Sequence, residues 1–431
     1  MTPSKTLECR LPERRPTIIS VFFYRRAIVV LGAAVLSVAS ASAADAPVYV
    51  KLLEQALSQA PVLAQQQANV GAAVADAQQS KALLNPRIDT LFENLGAPAS
   101  GGQSQRQSTY SVTQPFEVFG KRAARIEAGE RTLGLAQTRR RQAQVDFAAE
   151  LAVAYASVEA AQALKNLAHE DLTRANDDLG AAQAQVRAGK EAQLRLAQAQ
   201  ASVSAAQART QSSAADLTQA LERLSALVGS DIAYSGVSGS LLDATGEGSV
   251  SSTEIPPAVA TARAERDVFQ AQVVVEQKKW VPEIGISAGL RRYAWSGQNG
   301  YVLGVSATIP LLDRNEGGIS AAQQRVIAAE SRLEEARLMA QANQRIALAQ
   351  VQAANQRLTA ASTGEAAANE AYRLGRIGYE SGKTSLIELL VIRRALSEAR
   401  GTTIEARLAR VRALSAMAQA EGRLAFGEEI K

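Results

Sequence analysis

The segment EIGISAGLRRY at 283–293, followed after a short turn by GYVLGVSATIP at 300–310, decides how this chain can fold. Both segments alternate in steps of two. Ile284, Ile286, Ala288 and Leu290 lie on one face of the first, with Glu283, Gly285, Ser287, Gly289 and Arg291 on the other. Tyr301, Leu303, Val305, Ala307 and Ile309 share a face of the second, with Gly304, Ser306 and Thr308 opposite. Side chains of a strand point alternately to its two faces, so the spacing predicts strands over 283–293 and 300–310. About ten residues, apolar on one face and small or polar on the other, is the signature of a strand in a membrane-spanning barrel. A half-buried sheet in a soluble domain competes with that reading for any single strand.

Working outward, the same pattern occurs once more, about 195 residues upstream. Asn85-Pro86 and Val281-Pro282 each close a helical stretch, and each is followed by two alternating segments that end near Gln114-Pro115 or Ile309-Pro310. The upstream strands are expected at 87–95 and 107–116. Ile88, Thr90 and Phe92 share a face of the first; Tyr110, Val112 and Phe116 stand opposite Thr109, Ser111 and Thr113 in the second. Tyr293, Trp295 and Tyr301 near one end, and Phe116 with Phe119 near the other, suit interfacial aromatic girdles. A glycine-marked turn then opens a long Ala/Gln/Arg-rich helix in each half, at Phe119-Gly120-Lys121-Arg122 and Asn315-Glu316-Gly317-Gly318. Ala188-Gly189-Lys190 and Ser381-Gly382-Lys383 break those helices and start others. The expected helices are 48–84, 121–187, 191–228, 256–280, 318–379 and 384–425. A helix of about 60 residues is about 90 Å long, which points to coiled-coil packing. Alanines such as Ala197, Ala201, Ala205 and Ala208 would let helices approach closely. Two repeats, 44–228 and 256–431, joined by a Gly/Ser-rich connection at 229–255, account for the chain beyond residue 43. The fold class is mainly α with a small β part: a long antiparallel helical barrel plus four membrane strands per protomer.

Residues 1–43 read as a secretory signal peptide. Arg25-Arg26 precede an apolar run from Ala27 to Val38, and Ala41-Ser42-Ala43 matches the small-residue cleavage rule. The run is too short for a membrane span, which needs about 20 residues. Cys9 lies before it and would be removed with it, so the mature chain would have no lipid-anchor cysteine.

Of 431 residues, 47 are basic and 42 acidic, with one cysteine and one histidine. The leader holds six of the basic residues and two of the acidic, leaving 41 against 40. That near balance sets nucleic acid aside. One Cys and one His exclude a Cys/His metal centre, a Cys–His nucleophile pair and a disulfide framework. Gly-rich phosphate loops are absent. No residue reads as catalytic, and no cofactor or metal site is expected. His169, among Asn166, Glu170 and Asp171, reads as solvated surface; Asp177-Asp178, near the first tip, read as a solvated charge pair or as negative potential at the entrance; Arg139-Arg140-Arg141 read as tube exterior or pairing between protomers.

Four strands cannot close a barrel, since about eight are the practical minimum. Open edges in lipid would leave backbone groups unpaired at several kcal/mol each. A membrane reading therefore demands oligomerisation, and three copies would supply twelve strands.

The duplicated unit, the paired helix breaks and the leader together resemble the TolC-type outer membrane factors. QPFEVFGKR at 114–122 (Gln114, Phe116, Glu117, Gly120, Lys121, Arg122) is similar to the Q-x-F/I-E-L-G-G-K-R block of their heavy-metal branch, with Val118-Phe119 in place of Leu-Gly. IPLLDRNEGG at 309–318 (Pro310, Arg314, Asn315, Gly317) resembles that branch's I-P-L-x-L-F-D/N-R-N-x-G block. VKLLEQALSQAPVL at 50–63 resembles the family's first helix, with Ala60 where Asn is usual. The resemblance implies a homotrimeric channel in the outer membrane of a Gram-negative bacterium. Its helical tube would cross the periplasm and meet a periplasmic adaptor and an inner-membrane RND pump. It implies adaptor-docking tips at Ala188, Gly189 and Lys190 and at Ser381, Gly382 and Lys383. Glu388 falls at a gate or selectivity position, where three-fold symmetry would make a ring of carboxylates, and Val391 occupies the place of a second acid. Tyr379, Arg376 and Arg373 would make closed-state contacts. Drug efflux and type I secretion are alternatives within the channel class. A soluble periplasmic coiled-coil adaptor or scaffold is the alternative outside it.

Overall fold

The computed structural model describes residues 44–189, 192–244, 255–381 and 383–427. The expected leader, part of the inter-repeat connection, and the tip residues Lys190 and Gly382 lie outside the described residues.

The first helical stretch is two helices, α1 (Tyr49–Gln59) and α2 (Pro61–Lys81), rather than the expected single one. Ala60 between them is extended, with ψ 130°. The ring of a following proline bars its neighbour from the helical region, while Pro61 itself suits the first position of a new helix. Strands β1 (Arg87–Glu93) and β2 (Gln107–Phe116) follow, then the long helix α3 (Lys121–Arg187) and α4 (Gln193–Val228). The second half repeats the order: α5 (Pro257–Lys278), β3 (Glu283–Tyr293), β4 (Asn299–Thr308), α6 (Glu316–Glu380) and α7 (Leu386–Glu421). β1 stops two residues before the expected 95 because Asn94 is left-handed, φ 59°. β4 stops before Ile309-Pro310, where the imide has no N–H for the ladder. α3 has 67 residues and α6 has 65, each about 100 Å long.

The helices pair as antiparallel hairpins, α3 with α4 and α6 with α7, and α3 also lies along α5 and α7. The main apolar core sits midway along this bundle. It gathers Leu52 and Leu53 of α1, the Phe147–Ala160 stretch of α3, Leu224 of α4, the 241–242 turn, and Leu424. Tyr49 is buried there and donates to the Ala425 carbonyl at 2.7 Å, and burial pushes its hydroxyl well above its ordinary pKa. Tyr155 meets its ring edge-on at 5.8 Å. Glu159 fixes the connecting segment by accepting from the Leu241 and Leu242 amides at 2.8 and 3.1 Å.

The expected alanine contact stripe of α4 faces the other way. Ala197, Ala201, Ala205 and Ala208 are exposed, while Val203, Ala206, Leu217, Leu221 and Leu224 carry the packing. The larger side chains remove more apolar area from water and so choose the buried face.

All four strands form one antiparallel sheet in the order β1-β2-β3-β4. β2 and β3 join the two halves of the chain, with Val112 opposite Ala288 and Tyr110 opposite Leu290. β1 and β4 are the outer edges.

Candidate functional site

The register aligns the apolar faces of all four strands. Ile88 pairs with Val112, Val112 with Ala288, and Ala288 with Leu303. Among the described residues nothing covers this continuous apolar surface: Ile88, Leu303, Val305 and Tyr301 are 77, 84, 77 and 91 % exposed. A patch of this kind on a membrane protein is the lipid-facing wall.

The opposite face is polar or small. Arg291 reaches Glu93 at 3.3 Å and donates to Thr109 at 3.0 Å, and Thr113 donates to Asp89 at 3.3 Å. Gly285, Ser287, Gly289, Gly304 and Ser306 form the rest of its centre. A Cβ at two of these glycines would crowd a serine hydroxyl on the neighbouring strand, which would have to rotate away. A Cβ on Gly285 would lie 2.6 Å from Ser306 Oγ, and one on Gly304 would lie 2.7 Å from Ser287 Oγ.

Below the strands, the two motif blocks act as junctions. In the first half, the C-terminal carbonyls of α2 have no helical partners and are met by guanidinium groups. Arg122 donates to Lys81 at 2.6 Å, and Arg125 donates to Ser80 at 2.6 Å and Ala82 at 3.0 Å. Glu117 orients Arg125 through an ion pair, Nε to Oε1 3.2 Å. Gln114 donates to the Leu84 carbonyl at 2.8 Å, and Lys121 pairs with Glu283 at 2.5 Å across the two halves. Phe119 and Gly120 are both left-handed, φ 54° and 82°, which turns the chain from β2 into α3.

The second half solves the same problem with an amide. Asn315, left-handed at φ 57°, donates to the Glu276 carbonyl at 3.0 Å and to its carboxylate at 2.8 Å. Hydrogen bonds from Lys279 and Asn315 hold the Glu276 carboxyl below its ordinary pKa. Its stabilising effect is therefore present above the ordinary carboxylate range and is lost as pH falls through the lowered value. Gly318, not Gly317, is the tightly fitted glycine of the block, lying against the Asn315 amide, whereas a Cβ on Gly317 meets open space. Arg314 is exposed, and Phe116 is 45 % exposed on the apolar wall. Replacing Arg125 by alanine should leave the Ser80 and Ala82 carbonyls without their guanidinium donor and Glu117 without its partner, at about 1–3 kcal/mol. Differential scanning calorimetry should find the unfolding temperature lowered, while R125K loses less.

At the far ends of the hairpins, Ala188 and Gly189 form the first turn, with Gly189 at φ 70°. The second turn is closed by Gly378, whose carbonyl accepts from the Lys383 and Thr384 amides at 2.8 and 3.1 Å. Ser381 donates to the Ile377 carbonyl at 2.9 Å. A Cβ on Gly375 would come within 2.9 Å of Ile392, so glycine lets α6 and α7 touch there. Glu388 is exposed in the first turn of α7, where Ser385 caps its amide. Val391, one turn on, is 62 % exposed. Arg376 and Arg373 are spent on their own helix, pairing with Glu380 at 2.9 Å and Glu370 at 2.7 Å. Tyr379 is reached by the Gln185 amide at 3.5 Å, which connects the two hairpins.

A polar seam between α3 and α7, not visible in the sequence, runs up from the tips. Asp178 pairs with Arg393 and Asp171 accepts from Ser397. Arg400 reaches Glu170 at 3.3 Å and Asn369 at 3.1 Å. Asp178 is thus no solvated entrance charge. Burial outweighs the attraction of Arg393 and raises its carboxyl pKa above the ordinary value. His169 and Asp177 are exposed, as are Arg139, Arg140 and Arg141. Among the described residues, no group of three or more His, Cys, Asp or Glu side chains is placed to hold a metal ion. No helix there is long and apolar enough to cross a membrane.

Comparison with known proteins places this architecture. The family model described as "Outer membrane efflux protein" matches residues 52–230 and 253–423. The nickel-cobalt-cadmium resistance protein NccC of Alcaligenes xylosoxydans xylosoxydans is 59 % identical over 404 residues, 92 % of each chain. The nickel and cobalt resistance protein CnrC of Cupriavidus metallidurans is 57 % identical over 413 residues, 95 % of this chain and 99 % of its own. The crystal structure of the outer membrane protein VceC of Vibrio cholerae superposes with a TM-score of 0.71 at 19 % identity, covering 87 % of this chain and 96 % of that one.

Proposed function

The chain belongs to the outer membrane efflux protein family, and from that premise we propose that three copies form the exit channel of a tripartite system exporting divalent transition-metal cations. The observation that carries the metal reading is the 59 % identity, over nine-tenths of both chains, to a nickel-cobalt-cadmium resistance protein. The channel itself is passive. Its sheet offers a lipid-facing wall and a polar bore, and its hairpins offer a tube about 100 Å long. Energy and substrate choice then reside in an inner-membrane RND pump, and the helix tips at 188–190 and 381–383 dock a periplasmic adaptor.

Glu388 is the residue of this chain proposed to act on cations. Exposed in the first turn of α7, it becomes one of three carboxylates around a three-fold axis, and such rings favour cations. With Val391 one turn on, the ring is single. Glu388→Gln should lower the cation-over-anion permeability ratio several-fold in planar bilayers without changing the amount of assembled channel. An unchanged ratio would remove Glu388 from the selectivity role.

The reading is tested in a strain that has the cognate adaptor and pump but lacks this channel. Restoring the chain should raise the tolerated concentrations of nickel, cobalt or cadmium. A rise in antibiotic tolerance without any rise for metals would replace metal export by drug efflux.

A further inference from the structure

Resting on the proposed channel, whose sheet is a membrane wall and whose hairpin tips lie in the periplasm, we infer that the wall binds the phosphate of an anionic glycolipid in the outer leaflet. The site is a polar row at the rim of the sheet away from the helices, made by Arg292 and Arg106 with Ser108 and Asn299.

Charge and depth single out Arg292. Of the side chains that the four strands place on the apolar wall, it alone is charged. A guanidinium is costly at the middle of a bilayer and becomes tolerable only near an interface. Eight strand steps separate Ile284 from Arg292. At about 3.4 Å each and a tilt of about 40°, they rise about 21 Å, against an apolar band about 25 Å tall. With Ile284 at the helix-side edge of that band, Arg292 reaches the other edge. The aromatic rings agree. Tyr110 and Tyr301 lie one step below Arg292 on the same face, both opposite Leu290. Phe92 meets Tyr110 edge-on at 6.4 Å, and Trp295 lies 6.1 Å from Tyr293 in the turn above. Such rings collect at headgroup level.

The ladders set Ser108 and Asn299 opposite Arg292 on its two sides. Neighbouring strands are about 4.8 Å apart, so the three form one row of donors across β2, β3 and β4. The step of two puts Arg106 on the same face, as a diagonal neighbour about 7–8 Å from Arg292. Its carbonyl accepts from the Ala294 amide at 3.0 Å, which carries the ladder past the start of β2. Both arginines are exposed, and neither has an ion-pair partner among the described residues. Arg291, by contrast, faces the bore and pairs with Glu93 at 3.3 Å. The turns 94–106 and 294–298 contain no Asp or Glu. The outer rim is therefore positive with no counter-charge from its own turns. A phosphate supplies one, since a guanidinium holds it with two parallel charge-assisted hydrogen bonds. A zwitterionic headgroup would bring its own ammonium to two guanidiniums, so a phosphate monoester on a sugar is the better match.

The test uses the whole assembled channel in mild detergent and counts lipid A retained per chain by native mass spectrometry. Bisphosphorylated lipid A should be retained, and lipid A stripped of its phosphates should bind at least about tenfold more weakly. R106S with R292S should lose a similar factor for the phosphorylated lipid, and R292K less. R139S, which removes an exposed arginine of α3, should lose nothing. Equal affinity for the two lipids would overturn the inference without any variant, because the apolar wall alone would then hold the acyl chains. Full retention by the double variant would overturn it as well. Displacement of lipid A by millimolar inorganic phosphate would overturn the headgroup assignment in favour of free phosphate. A chain recovered in the soluble fraction without detergent would instead sink the membrane wall, and the proposed channel with it.

Discussion

Replacing Gly289 by valine should remove assembled channel from the outer membrane almost completely. A Cβ at this position would fall against the Tyr110 carbonyl and within 2.8 Å of Ser111 Cβ and 2.9 Å of its Cα. Two of these are backbone atoms of the neighbouring strand, so no side chain can rotate away. The relief open to the protein is to part β2 from β3, the ladder that joins the two halves of the chain. Overpacking in a fixed environment costs about 1–3 kcal/mol, and a trimer incurs it three times. Each 1.4 kcal/mol is a factor of ten in an equilibrium. The heat-modifiable trimer band should therefore fall by more than about tenfold. Gly317→Ala is the matched control. It too alters a glycine, one belonging to the family block, but its Cβ meets open space and the trimer band should persist. Equal loss in both variants would show that chain flexibility, not the tight strand contact, governs assembly.

The strands were legible because their constraint is local. A wall facing lipid and a bore facing water impose a period of two, and Ile284 to Leu290 against Gly285 to Gly289 states it without help from the rest of the fold. The helices were legible as helices but not in their contacts. A stripe of alanines four apart on α4 resembles a packing seam, yet burial follows Val203 and Leu217, because α3 lies on that side and the gain scales with area. The break at Ala60 carried its signal in Pro61, which the surrounding helical periodicity masked. The motif blocks marked the family before they showed a reason. Arg122 and Asn315 are placed to satisfy carbonyls at helix ends and Gln114 one in the segment between α2 and β1, and Arg125, which does the most of this, stands outside the quoted block. Least legible was the seam above the tips. Asp178 and Arg393 are 215 residues apart, and neither has a neighbourhood that names the other.

That seam carries the other large expectation. Arg393 and Asp178 join the two hairpins of one protomer, with Ser397 on Asp171 and Arg400 on Glu170 continuing the contact. Arg393→Ala would leave the Asp178 carboxylate half-buried and without its counter-charge. Losing one partner of such a pair costs more than the pair itself contributes, because the remaining charge keeps its desolvation penalty. The hairpins should separate near the tips. Single-channel conductance should rise, and the outer membrane should admit antibiotics otherwise too large to cross it. Asp178→Asn should do much less. Burial already works against its charged form, and an amide oxygen still accepts from Arg393. The sign of the pH response follows. A carboxyl whose pKa is raised in the folded state adds stability that is complete below its unfolded value and lost as pH rises through the folded one. Protonating Asp178 therefore relieves the seam, and mild acid should leave the conductance of the unmodified channel unchanged. The double variant separates charge from packing. If R393A with D178N conducts less than R393A alone, the uncompensated carboxylate drives the hairpins apart. If the two conduct alike, the guanidinium held the seam by contact and the electrostatic account fails.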